Sequence, residues 1–154
     1  MSPVCRGDLV LDLGAGRGAL TGPLVHAGAT VLAVELHAGR ARRLTERFAA
    51  DPVRVVVADL AELRLPGRPF RVVASPPYGH TTELVRRLLT GDRLVSADLV
   101  LQRAAARRLV ERSGRGRGRF RLHLGLSVPR RAFDPMPRVD SVVLQIRRQQ
   151  IRRR

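Results

Sequence analysis

Four short stretches hold most of the residues whose types and spacing suit chemistry. The first, "LDLGAGRGALT", sets Gly14, Gly16 and Gly18 at alternate positions, with Asp12 two residues ahead of the first glycine. Glycines in that pattern allow a tight turn and let a ligand approach the backbone closely. Two acids follow, each at or just past the end of an apolar run: Glu35, next to Leu36, and Asp59, next to Leu60. A carboxylate at Glu35 can accept hydrogen bonds from both hydroxyls of a ribose, and one at Asp59 can hold the amino group of an adenine. The fourth stretch is "ASPPYG", in which Ser75, two prolines and the only tyrosine, Tyr78, break off the run "FRVV".

The glycines also satisfy Gly14-x-Gly16-x-x-Ala19, a dinucleotide pattern, so a nicotinamide or flavin enzyme competes, as does a purely structural turn. A P-loop is disfavoured because no Gly-Lys-Ser/Thr follows. Asp12 tilts the choice, since a carboxylate there suits a ligand bearing an ammonium group, such as S-adenosylmethionine, better than a pyrophosphate. The double proline has a bland reading, because prolines end strands by failing to donate to the ladder. Its chemical reading is methylation of an exocyclic amine, whose lone pair is delocalised into a ring. Acceptors such as the Ser75 oxygen and the Pro76 carbonyl localise that pair and stabilise charge developing on nitrogen. Tyr78 offers a face on which a base can stack.

These residues need a scaffold that brings four strand ends together. Short β-branched runs alternate with helical patterns: strands at Leu9–Leu13, Thr30–Glu35, Val53–Ala58, Phe70–Ser75 and Ser96–Gln102. Helices are expected from beyond Gly18 to about Ala27, over Ala38–Phe48, near Thr82–Leu89 and in "AAARRLVER". "HLGLSVP" and "SVVLQIR" close the chain as two strands around a proline-rich turn. Repeated strand–helix units predict a single α/β domain over residues 1–154, with a seven-stranded, mostly parallel sheet and one antiparallel strand, Val142–Ile146. The "GRGRGR" patch, Gly114–Arg119, reads as a loop.

Charge supplies the partner. The chain has 154 residues, 29 arginines and no lysine, against 13 acids, for a net charge of +16. Residues 103–154 carry 16 of the arginines and only 3 of the acids. Such a half predicts a polyanion partner bound through phosphate contacts, with Arg107, Arg108, Arg115, Arg117 and Arg119 as candidate RNA-binding residues; a solvated arginine-rich surface is the alternative. Cys5 is the only cysteine, which excludes an internal disulfide and a cysteine metal cluster. Without an apolar run long enough for a membrane span or signal peptide, a cytoplasmic monomer is expected.

Taken together, "LDLGAGRGALT", "AVE", "ADL", "ASPPYG" and "VPRRAFDPMPRVDSVVLQIRR" resemble the adenine-N6 rRNA methyltransferases. That superfamily includes the 16S rRNA dimethyladenosine transferases and the erythromycin-resistance (Erm) methylases of 23S rRNA. The resemblance runs from Leu9 to about Arg148 and implies a Rossmann-like, S-adenosylmethionine-dependent fold. It implies that Asp12, Gly14, Gly16, Glu35, Leu36, Asp59, Leu60 and Ser75 bind the cofactor. Ser75, Pro76 and Tyr78 would receive the target adenine, with Phe133 of "FDPMP" as a second aromatic lid. Three departures accompany it: Ser75 stands where the family usually has Asn, the segment normally preceding the first strand is expected to be missing, and so is the C-terminal helical domain. "LVLQRAAARRL" and the arginine-rich stretch look closer to the Erm branch, which implies N6-methylation of 23S rRNA and macrolide-lincosamide-streptogramin B resistance. The alternatives are a 16S rRNA dimethyltransferase and a non-catalytic RNA-binding relic.

Overall fold

The computed structural model describes residues 3–113 and 118–149. Four strand–helix pairs, one strand with no helix after it (β3) and a final hairpin follow in chain order: β1 (Leu9–Leu13), α1 (Thr21–His26), β2 (Thr30–Glu35), α2 (Ala38–Arg47), β3 (Val53–Val57), β4 (Phe70–Ala74), α3 (Thr81–Thr90), β5 (Leu94–Gln102), α4 (Arg103–Arg112), β6 (Phe120–Val128) and β7 (Ser141–Arg148). Short 3-10 turns occupy Tyr78–His80 and Arg130–Ala132. The strands form one sheet in the order β3-β2-β1-β4-β5-β7-β6. Pairings from β3 through to β5 are parallel, whereas β7 runs antiparallel to both β5 and β6. One reversed strand among seven is the architecture expected from the sequence.

Alternation along the buried strands sorts side chains onto two apolar layers. Leu11, Leu13, Val72, Leu99 and Leu144 face α3 and α4, packing with Leu84, Leu88 and Ala106. Val10, Val31, Ala33 and Val73 face the other way, against Leu24 of α1, Leu44 of α2 and Phe48 at the end of α2. Both layers sit below a common rim, the carboxyl ends of β1 to β4. The chain reverses its direction of travel across the sheet between β1 and β4, and open α/β sheets bind ligands at such a switch point. Among the described residues, no helix is long and apolar enough to cross a membrane.

Element ends move by a few residues from the sequence reading. β3 stops at Val57 and β4 at Ala74, one residue early in each case, which frees Ala58 and Ser75 for the loops. β6 starts at Phe120 rather than His123, because Phe120, Arg121 and Leu122 pair with Arg148, Arg147 and Ile146 of β7. The expected "GRGRGR" loop lies outside the described residues at 114–117. Arg119, at its end, is tied down by an ion pair with Asp92, and its carbonyl accepts the Gln149 N–H.

Candidate active site

The turn after β1 is built so that a ligand can reach its backbone. Gly14 has φ +78°, and a Cβ there would come within 3.1 Å of Pro77 Cδ, so glycine is what lets the turn lie against the double proline. The N–H groups of Gly14 and Ala15 both donate to the Val34 carbonyl, at 2.8 and 3.0 Å, which pins the turn across to β2. Gly16 donates its N–H to Glu35 Oε2 at 2.9 Å, while Glu35 Oε1 accepts the His37 N–H at 3.0 Å and lies 3.6 Å from Arg40 Nη1. Glu35 is only 4% exposed, yet each oxygen keeps a lone-pair direction for a further donor.

A cleft of about 460 Å³ opens over this turn. Its walls come from four strand ends: Gly14 and Gly16 after β1, Glu35 to His37 and Arg40 after β2, Ala58 to Leu60 after β3, and Ser75, Pro76, Pro77 and His80 after β4. A cleft of this size suits a nucleoside-sized ligand. Leu36 is 58% exposed, an apolar side chain of the kind that packs on a planar ring. Asp59 Oδ1 accepts the Ala61 N–H at 2.8 Å, which orients the carboxylate at the cleft wall. Ser75 is exposed, and its hydroxyl has no hydrogen-bond partner among the described residues, whereas Pro76 is buried and holds the turn. The backbone of Tyr78 starts the 3-10 turn that leads into α3.

Most of the residues singled out in the sequence therefore share one cleft: Gly14, Gly16, Glu35, Leu36, Asp59, Leu60, Ser75 and Pro76. Two do not line it. Asp12 is 1% exposed and lies beneath the glycine turn, where Thr21 donates its hydroxyl to Oδ2 at 2.7 Å. Its alternation with Leu11 and Leu13 sends it to the α1 side of the sheet, beneath the turn on which the ammonium group of a ligand was expected to meet it. Burial pushes its carboxyl up to about 6, with the Thr21 bonds pulling it down and the Glu35 charge adding a smaller upward push. Phe133 is half-buried in the β6–β7 connection and likewise off the cleft wall. It stays at the same end of the sheet, because its neighbour Asp134 lies 4.0 Å from Arg17 in the glycine turn. His37, Arg40 and His80 line the cleft but escaped the sequence reading. Arg40 had a weak signal, a cation in the first helical turn after the strand-ending acid.

Of the arginines proposed for RNA, Arg107 and Arg108 are exposed on α4. Arg119 is committed to Asp92, and Arg115 and Arg117 lie outside the described residues.

The sheet order, the glycine turn and the acids at successive strand ends define a Rossmann-like methyltransferase fold of the S-adenosylmethionine-dependent class. Within it, the chain belongs to the ribosomal RNA adenine dimethylase family, whose model matches residues 4–153. An rRNA adenine N-6-methyltransferase of Corynebacterium diphtheriae is 38% identical over 148 residues, covering 90% of this chain and 57% of that protein. Ribosomal RNA small subunit methyltransferase A of Thermosynechococcus vestitus is 35% identical over 160 residues, covering 92% and 59%. The crystal structure of the 23S rRNA methyltransferase ErmE superposes with a TM-score of 0.84 at 32% identity, covering 96% of this chain and 64% of that one. The chain thus spans a little over half the length of these curated relatives.

Proposed function

We propose that this chain is the catalytic core of an enzyme that transfers a methyl group from S-adenosylmethionine to N6 of an adenine in 23S rRNA. The observation that carries the reading is the convergence of Ser75 and Pro76 with Gly16, Glu35 and Asp59 on one cleft. The residues fit the cofactor: Glu35 is preset for ribose hydroxyls, Asp59 and Leu36 for an adenine, and Gly14 keeps the turn free of side chain. When bound, S-adenosylmethionine supplies an electrophilic methyl group on a sulfonium. Ser75 Oγ and the Pro76 carbonyl accept the two N–H groups of the target amine. They draw its lone pair out of conjugation and hold the positive charge that grows on nitrogen before a proton leaves to water. Tyr78 stacks on the target base, which must leave its own stack at a cost of a few kcal/mol unless it already lies in a loop. Asp12 acts from beneath the glycine turn, through its charge and its bond to Thr21.

Membership of the Erm branch, with macrolide-lincosamide-streptogramin B resistance as its consequence, is favoured by the ErmE likeness and by "LVLQRAAARRL". The similarity to a small subunit methyltransferase supports a second reading, dimethylation of 16S rRNA with the same chemistry. Transfer of labelled methyl to deproteinised ribosomal RNA tests the proposal. The parent should label adenine N6, and Ser75→Ala should cut turnover far more than RNA affinity, since its acceptor matters most as charge develops. Equal turnover in Ser75→Ala and parent would leave the double proline as a strand terminator.

A further inference from the structure

We infer that Arg87, on α3, is the positioning residue that holds the adenine-reading wall of the cleft in place. The inference rests on the reading of Asp59 and Leu60 as that wall. The connection that carries them forms one local turn, in which the Asp59 carbonyl accepts the N–H groups of Glu62 and Leu63 at 3.1 and 3.0 Å. That turn leaves the carbonyls of Leu60, Ala61 and Leu63 pointing away from any ladder. The Arg87 guanidinium collects all three: Nη1 donates to Leu60 O and, at 3.0 Å, to Ala61 O, and Nη2 donates to Leu63 O. A planar fork with five donors suits three carbonyls arranged around it, whereas a lysine presents a single compact charge. Below the fork, Leu60 and Leu63 are both buried against the same apolar layer as Leu84 and Leu88 of α3.

The same helix begins at Thr81, directly after the turn that carries Ser75 to His80. Arg87 therefore ties the cofactor wall to the element that presents the target-base platform. With the turn clamped, Asp59 meets the amino group of an adenine as a donor. A hypoxanthine in its place puts an oxygen against the carboxylate and is repelled. A slack turn would let Asp59 swing aside and lose that distinction, while the ribose contact at Glu35, on another strand, stays intact.

The test is a calorimetric comparison of S-adenosylhomocysteine with S-inosylhomocysteine in the parent, Arg87→Gln and Arg87→Lys. The parent should prefer the adenine ligand by at least about tenfold, because a buried polar group left unpaired is heavily penalised. Arg87→Gln should bring the ratio close to one by weakening only the adenine ligand, with Arg87→Lys between the two. Hydrogen exchange supplies a readout free of ligand: the Glu62 and Leu63 amides should lose protection in Arg87→Gln while those of Val31 and Leu32 keep it. Should Arg87→Gln fail to fold, the intermediate ratio and faster exchange in Arg87→Lys carry the test. A parental preference that survives unchanged in both variants overturns the role of Arg87 alone. A parent indifferent to the two ligands overturns the adenine-wall reading and this inference together.

Discussion

Both oxygens of Glu35 are engaged by backbone amides, Gly16 on one side and His37 on the other, so the carboxylate is fixed in direction before a ligand arrives. Two ribose hydroxyls donating to it are worth about 1.5–3 kcal/mol each. Glu35→Ala should accordingly weaken S-adenosylhomocysteine binding at least tenfold in a titration, and it should also loosen the glycine turn. Asp12 makes the opposite kind of statement. Its folded carboxyl titrates near 6 against an ordinary value of 3.8, so the folded state holds its proton more tightly than the unfolded chain does. The stability this contributes is present in full below the unfolded value and lost as pH rises through about 6. At pH 7.5 the buried carboxylate costs on the order of 3 kcal/mol, and at pH 4.5 about 1 kcal/mol. Asp12→Asn keeps an acceptor for Thr21 and should raise urea resistance at pH 7.5 by more than at pH 4.5; an equal gain at both would mean Asp12 is not held in an unfavourable ionised state. Tyr78→Ala should abolish most methyl transfer and Tyr78→Phe retain most of it, because an aromatic face returns about 1–3 kcal/mol of the unstacking cost. Glu35, Asp59 and Ser75 were legible because each follows a β-branched run at or just past a strand end. His37 and His80 were not, since a single histidine after a strand has no spacing that marks it, and Arg40 left only the weak signal of a cation in the first turn of α2. The contacts of Arg87 reach back 24 to 27 residues and exist only in three dimensions.

At the level of elements, the glycine turn sets where helix and sheet may meet. Gly18 has φ +83°, and a Cβ there would fall 2.7 Å from Phe48 Cε2 and 2.9 Å from Leu44 Cδ2. The spacing of the glycines was visible in the sequence; that Gly18 is pressed against the end of α2 was not. The same left-handed residue delays the first helix, which begins only at Thr21 and ends at His26. Gly18→Ala should lower stability by about 2 kcal/mol, from backbone strain and from the collision with Phe48. Gly18→Ala combined with Phe48→Leu should recover part of that loss, which thermal unfolding of the three proteins would show. The single reversed strand was readable, because "HLGLSVP" and "SVVLQIR" flank a proline-rich turn with no helical pattern between them; the order of the strands across the sheet, with β7 inside and β6 at the edge, was not. Strand ends were less readable, as pairing partners decide them: β6 extends to Phe120 because β7 extends to Arg148.

Across the whole molecule, charge and chemistry sit in neighbouring regions of one sheet. The arginine excess of residues 103–154 was plain in composition, but composition could not say which arginines are available. Arg147 and Arg148 turn back onto carbonyls and Asp98 within the sheet, and Arg119 onto Asp92, while Arg107 and Arg108 stay exposed on α4. If α4 faces phosphates, Arg107→Gln with Arg108→Gln should reduce the slope of log affinity against log salt by about 1.4–1.8, at 0.7–0.9 per contact. Arg119→Gln should instead lower stability and leave the slope alone. Methylation of adenine N6 in ribosomal RNA by this cleft is read out by mapping modified adenines on 23S and 16S rRNA after incubation with S-adenosylmethionine. N6-methyladenine should appear at a discrete position of 23S rRNA and disappear with Tyr78→Ala. Methylation confined to 16S rRNA would move the chain to the other branch, and RNA left unmodified under conditions where the cofactor binds would rule out methyl transfer by this cleft.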